Sequence, residues 1–157
     1  MAQNNLNTLL SEQLKIADAA RNALEESFTR AKAALARSAA NPGGALAVED
    51  RETLEALTAR FARLSDMLFQ RLFRTIDQLE LCDDGSNIDR LNRMESRGVI
   101  ASAALWRDLR QVRNDIVHEY LIEASDQVVH QSITLAPELF ETLNRLTAYS
   151  TQKGFVS

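Results

Sequence analysis

The chain has 157 residues, 45% of them hydrophobic, which suffices for one compact domain with a real core and leaves little room for two. Five glycines and two prolines against abundant Leu, Ala, Arg and Glu make a helix-forming vocabulary, so the expected class is all-α. A net charge of −4 and a pI near 5.2 argue against coating nucleic acid by charge alone and leave room only for a local cationic patch.

The opening MAQNNLNTLL has no basic leader with an apolar core behind it, and no apolar run approaches the roughly 18 residues that span a bilayer. The expectation is a cytoplasmic protein without membrane contact. The single cysteine, Cys82, has no partner for an internal disulfide and no Cys or His at metal-ligand spacing, and reads as an incidental thiol.

From Leu10 apolar residues recur three and four apart through Leu14, Ala17, Leu24, Phe28, Ala31 and Leu35, with Arg21 in one slot of the stripe. This predicts one long helix ending near Ala39. Asn41-Pro42-Gly43-Gly44 then breaks it, because proline lacks the helix donor and glycine favours turns.

A second helix is predicted over about 50–81 from Leu54, Leu57, Phe61, Leu64, Leu68, Leu72, Ile76 and Leu79, with Asp50 as N-cap. Phe69 and Phe73 lie roughly 60–100° around from Leu54 at ~100° per residue, so this helix is expected to serve two interfaces.

Cys82 to Ser86 forms a turn, and Ile88, Leu91 and Met94 mark a short helix with Gly98 as its C-cap. Ser102 can cap the next helix, reaching about Leu121. The last segment, about 126–149, carries Val128, Val129, Ile133, Leu139, Leu143 and Leu146 around Pro137, which predicts a kinked helix or two short ones. The whole reads as an antiparallel bundle of four or five helices.

Chemistry concentrates in RQVRNDIVHEY, Arg110 to Tyr120. At ~100° per residue, Leu105, Trp106, Leu109, Val112, Ile116, Val117 and Tyr120 share one broad stripe, with Arg113 near its middle. A guanidinium there costs several kcal/mol unless it is paired or meets an anion. Either Arg113 makes a structural salt bridge to an acid on the first or second helix, or the stripe opens there into a phosphate site suited to its planar fork.

His118 lies five residues on, about 140° around the helix from Arg113, while Asn114 is roughly 40° from His118. One helix alone does not close a compact site from them, but a two-fold homodimer meeting along this helix would bring both sets into one cleft. His130, in a polar stretch, reads as solvated.

Between Arg90 and Arg113 stand six arginines, at 90, 93, 97, 107, 110 and 113, against Glu95 and Asp108, a local charge of +4. Such a run is either a solvated helix face or a cationic track, with Arg107 and Arg110 nearest the candidate site and RNA the first polyanion to consider.

Arg113-Asn114-Asp115-Ile116-Val117-His118-Glu119-Tyr120 resembles the signature of HEPN-domain proteins, an arginine, four residues, a histidine, one residue and a tyrosine, and comes closest to HepT-like toxins. Trp106, Asn114 directly after the arginine, and the helical setting fit that family over roughly 50–150. The helix before that core carries no motif, so residues 1–157 read as a single HEPN-like domain.

The resemblance implies a dimeric endoribonuclease toxin that needs no metal or other cofactor, cleaves RNA such as tRNA, and is paired with a minimal nucleotidyltransferase antitoxin. Tyr120 matches the tyrosine that such antitoxins modify with AMP, which would set a competing phosphate beside the site. In this reading His118 takes the ribose 2′-hydroxyl proton, Arg113 neutralises the phosphoryl oxygens, and Asn114 orients His118 or the backbone. The nucleophile is internal to the substrate, so no metal is required of the protein. The alternative from another class is a non-catalytic helical module that holds a nucleotidyltransferase partner or its substrate.

Overall fold

The computed structural model describes residues 1–118 and 126–157, and within them the protein is all-α, with no strand. Helix α1 (Ala2–Ala40) is followed by α2 (Val48–Asp66), a π-helical turn (Met67–Leu72) and α3 (Phe73–Leu79), then α4 (Asn87–Ser96), α5 (Ala103–His118) and α6 (Asp126–Gln152). The apolar stripes of these helices meet in one core that runs from Leu10 and Leu24 through Phe61 and Leu72 to Trp106 and Leu143.

The first helix begins eight residues before the predicted stripe, because Leu6 already packs against the core. Arg21, the charged member of the first stripe, pairs with Asp18 and donates to Asn144 Oδ1 at 2.6 Å, tying α1 to α6.

Asp50 is not the N-cap of the second helix. Ala47 holds that position, and Asp50 lies in the first turn, where Arg37 Nη2 meets its Oδ1 at 2.5 Å and locks the end of α1 to the start of α2. An acid in a first turn also complements the helix dipole, so the residue serves the helix without capping it.

From Val48 the backbone stays helical to Leu79 through the π-helical turn, where Phe73 N–H donates to Leu68 O, five residues back. The two expected interfaces are present. Leu54, Leu57 and Leu64 are buried together with Phe69 and Phe73, and Phe73 packs at 5.0 Å on Trp106 of α5. Trp106 is fully buried, and its Nε1–H donates to Thr142 Oγ1 of α6 at 3.1 Å, so its one polar atom is satisfied.

The helix stops at Leu79, two residues early, in a turn that places Leu81 in the left-handed region at φ 59°. Ser86 then caps α4 in a capping box with Asp89. Gly98 closes α4 as predicted: its N–H bonds Glu95 O and that of Val99 bonds Met94 O, with φ 74° at the glycine. Ser102 Oγ accepts from Leu105 N–H at 3.2 Å, and Glu95 Oε1 adds a second cap by accepting from Ala103 N–H at 3.1 Å.

Of the two alternatives for the last segment, one helix is found: α6 runs from Asp126 to Gln152 with Pro137 inside it, and two short helices do not form. Proline forfeits one backbone bond. Burial of Ala136, Leu139, Leu143 and Leu146 holds both sides of it in one helix.

The connection between α3 and α4 is fixed by charge. Asp77 has no solvent-accessible side chain and receives Arg93 Nη2 at 2.7 Å, Arg97 Nη1 at 2.6 Å and Arg90 Nε at 3.2 Å. Arg97 Nε also meets Glu80 Oε2 at 2.6 Å, and Glu80 accepts from Tyr149 of α6, whose phenol is pushed up to about 12 by burial and by that bond. Cys82 Sγ sits 3.0 Å from Arg97 Nη2, against the same cluster. Burial pulls the Asp77 carboxyl upward, but hydrogen bonds from Arg93 and Arg97 outweigh it and leave it below the ordinary aspartate value.

Replacing Asp77 leaves three guanidinium groups in a partly dry site without their shared anion, so Asp77→Ala is expected to lose about 3 kcal/mol in urea unfolding. Asp89→Ala, at the exposed capping box of α4, is expected to lose distinctly less. Equal small losses would show that the arginine cluster does not hold α4.

Candidate functional site

Helix α5 carries the candidate residues on its last turns because its buried face, Ala103, Trp106, Leu109 and Val112, anchors it against the core up to the position before Arg113. Beyond that point the helix emerges: Arg113 and Asn114 are half-buried, and Val117 and His118 are exposed. Tyr120 and the predicted extension to Leu121 lie outside the described residues.

Arg113 meets an acid on the second helix, the first of the two explanations open for it. Its Nε donates to Asp66 Oδ1 at 2.7 Å and its Nη2 to Asp66 Oδ2 at 2.9 Å, a two-pronged fork onto one carboxylate. Nη1 donates to Asn114 Oδ1 at 3.1 Å. A guanidinium has five N–H groups. Asp66 and Asn114 take three, and the remaining two, one on each Nη, have no acceptor among the described residues.

Arg110 shares the same acid. Its Nη1 donates to Asp66 Oδ1 at 2.8 Å and to Ser65 Oγ at 3.0 Å, and its guanidinium lies 4.6 Å over the Phe69 ring. Burial raises the Asp66 carboxyl, yet the hydrogen bonds from Arg113 and Arg110 and their charge more than reverse it and hold it below the usual aspartate range. Burial also draws the Arg110 guanidinium down from its ordinary value, against the upward pull of Asp66.

The structure thus brings Asp66, Arg110, Arg113 and Asn114 into one hydrogen-bonded chain. His118 is one helical turn beyond Asn114, on the solvent side. Asp115 accepts from Gln111 and stays out of this chain, and His130 is exposed at the start of α6. Among the described residues, no group of three or more His, Cys, Asp or Glu side chains converges as metal ligands, and no helix is long and apolar enough to cross a membrane.

The arginine run is not a free cationic face. Arg90, Arg93 and Arg97 turn inward onto Asp77, and Arg110 and Arg113 onto Asp66. Among the described residues Arg107 is the member of the six left exposed and without an ion pair. Asp66 and Asp77 were the residues that sequence reasoning missed. The signal for the second was the spacing of Arg90, Arg93 and Arg97, which puts three guanidinium groups on one face of a short helix with Asp77 in the buried stretch before it.

Because the folded-state pKa of Asp66 lies below the 3.8 of an unperturbed aspartate, its pairing contributes stability in full above that value and loses it as pH falls through the folded value. Asp66→Asn should therefore be less stable than the parent at neutral pH, with the gap closing in acid. Urea titrations across the acid range check this, and a gap that widens in acid would contradict the pairing.

No family model, curated protein or solved structure matches the chain.

Proposed function

We propose that the protein is a metal-independent endoribonuclease toxin that cleaves RNA as a homodimer through Arg113, Asn114 and His118, with Arg107 and Arg110 on the approach of the strand. The observation that carries this reading is the state of Arg113. Asp66 fixes its guanidinium by the fork, while one N–H on each Nη keeps its hydrogen-bonding capacity, and the side chain is 23% exposed. A guanidinium held rigidly with a donor pair to spare is preorganised for a phosphoryl group and reorganises little when charge develops there.

The chemistry assigned to these residues is transfer within the substrate. The His118 imidazole takes the proton of the ribose 2′-hydroxyl, the 2′ oxygen attacks the adjacent phosphorus, and the bond from phosphorus to the 5′ oxygen breaks. A 2′,3′-cyclic phosphate remains on one fragment, and the departing 5′ oxygen takes a proton from solvent. Arg113 neutralises the non-bridging oxygens as they gain charge. Because Arg113 and His118 point about 140° apart on one helix, the reading assigns the complete site to two copies of α5 meeting across a two-fold axis. In the same proposal a minimal nucleotidyltransferase antitoxin silences the enzyme by adding AMP to Tyr120, placing a phosphate where RNA would bind.

One observation favours a second reading. The side-on fork of Arg113, its strongest anion-binding edge, is already occupied by Asp66, as in a structural ion pair. On that reading the protein is a non-catalytic helical module that binds a nucleotidyltransferase or its substrate.

Incubation of total tRNA with the unmodified protein in EDTA, beside His118→Ala, separates the two. His118 is exposed at a helix end, so its replacement leaves the bundle folded. Cleavage by the parent alone, with cyclic phosphate ends, is the expected result. Equal cleavage by both proteins would remove His118 as the base, and no cleavage by a folded, AMP-free dimer would favour the binding module.

A further inference from the structure

A second cluster of arginines lines a groove beside Phe69. The groove, of about 660 Å³, opens between the π-helical turn and α4, and its lining includes four arginines, Arg71, Arg74, Arg90 and Arg110, with Asp83 as the acid among them. Two of these guanidinium groups form a fixed floor. Arg110 is tied to Asp66 and Ser65 and lies 4.6 Å over the Phe69 ring, and Arg90 is tied to Asp77 and Asp83 with its guanidinium 5.9 Å from the same ring.

Each floor arginine keeps N–H groups to spare. The bonds of Arg110 to protein come from Nη1, and those of Arg90 from Nε and one N–H of Nη2. The other two arginines form the rim. Arg74 is 59% exposed and touches Asp83 only at 3.5 Å, and Arg71 is exposed with no ion pair among the described residues. Gln70 and Asn87 add neutral amide donors.

We propose that this groove binds a compact oligophosphate, a chain of linked phosphates either free or carried by a nucleotide. Preorganised guanidinium groups bind phosphate oxygens without first ordering their own side chains, and the rim arginines close over the outer oxygens. The π-helical turn is the device that makes it, since it presents Phe69 inward and Gln70 and Arg71 outward within one turn, and such turns recur at functional sites. Compactness follows from the surroundings. Asp83 lines one side of the groove and Asp84 follows it in the sequence of an acidic protein, so a long polyanion leaving on that side would run against like charge.

The groove shares Arg110 with the proposed RNA approach but leaves out Arg113, Asn114 and His118, and it is measured by binding, not cleavage, so its failure and that of the nuclease reading are distinguishable. The experiment is calorimetric titration of the full chain with inorganic triphosphate, with ATP and with a short single-stranded RNA in low-salt buffer. The double variant Arg71→Gln, Arg74→Gln changes only exposed rim side chains, and His118→Ala serves as control. The parent and His118→Ala are expected to bind triphosphate alike, and the rim variant to bind it about tenfold more weakly or worse, as loss of charge-assisted contacts requires. ATP binding equal to triphosphate would assign recognition to the phosphates alone, and tighter ATP binding would add a contact to the base. Absence of triphosphate binding, unchanged affinity in the rim variant, or RNA binding that depends on the rim and that triphosphate does not displace would each overturn the proposal.

Discussion

The capture of two arginines by Asp66 is the interaction on which the candidate site depends. Arg110 and Arg113 lie three residues apart on α5 and reach across to one carboxylate at the end of α2. That arrangement resolves the conflict between a charged residue and an apolar stripe. Arg113 sits at the boundary where α5 leaves the core, its charge is balanced within hydrogen-bond distance, and its side chain keeps 23% exposure. The same ion pairs fix α5 relative to the central helix, so the position of Asn114 and His118 follows from where Asp66 stands.

Asp77 repeats the device eleven residues on, in α3 beyond the π-helical turn, with three arginines of α4 and the segment after it in place of two from α5. Together the two acids turn a stretch that is locally basic in sequence into a network of ion pairs that fixes five of its six guanidinium groups and leaves Arg107 free of one among the described residues. The positive surface that remains is smaller and more specific. It consists of Arg107, the outer edge of Arg113, and the groove where Arg71 and Arg74 stand over a floor of paired guanidinium groups.

The helical class and the long stripes were legible in the sequence because burial imposes a spacing of three and four that Leu54, Leu57, Phe61 and Leu64 display openly. Gly98 and Ser102 were legible for a more local reason, since capping chemistry is decided within five residues. Asp50 misled because an acid near a helix start serves equally as cap or first-turn charge, and Arg37, thirteen residues away, chose the second. Pro137 left one kinked helix and two short ones both open, and the buried face on either side of it decided for one. For Arg113 the reading reached an acid on a neighbouring helix but could not name it. Asp66 is 47 residues distant, and which of the many acids of the first two helices meets α5 is decided by how the helices pack, which local spacing does not carry.

The central claim is that Asp66 immobilises Arg113 while leaving its outer edge able to take a phosphate. Nitrogen-edited NMR of the arginine side chains, followed during titration with a dinucleotide monophosphate, tests it directly. The account predicts a slowly exchanging Arg113 Nε–H in the free protein, Nη signals that shift as phosphate is added, and loss of both features in Asp66→Asn. An Arg113 Nε–H that is sharp and protected while its Nη signals ignore phosphate would contradict the claim and leave the pair a purely structural one.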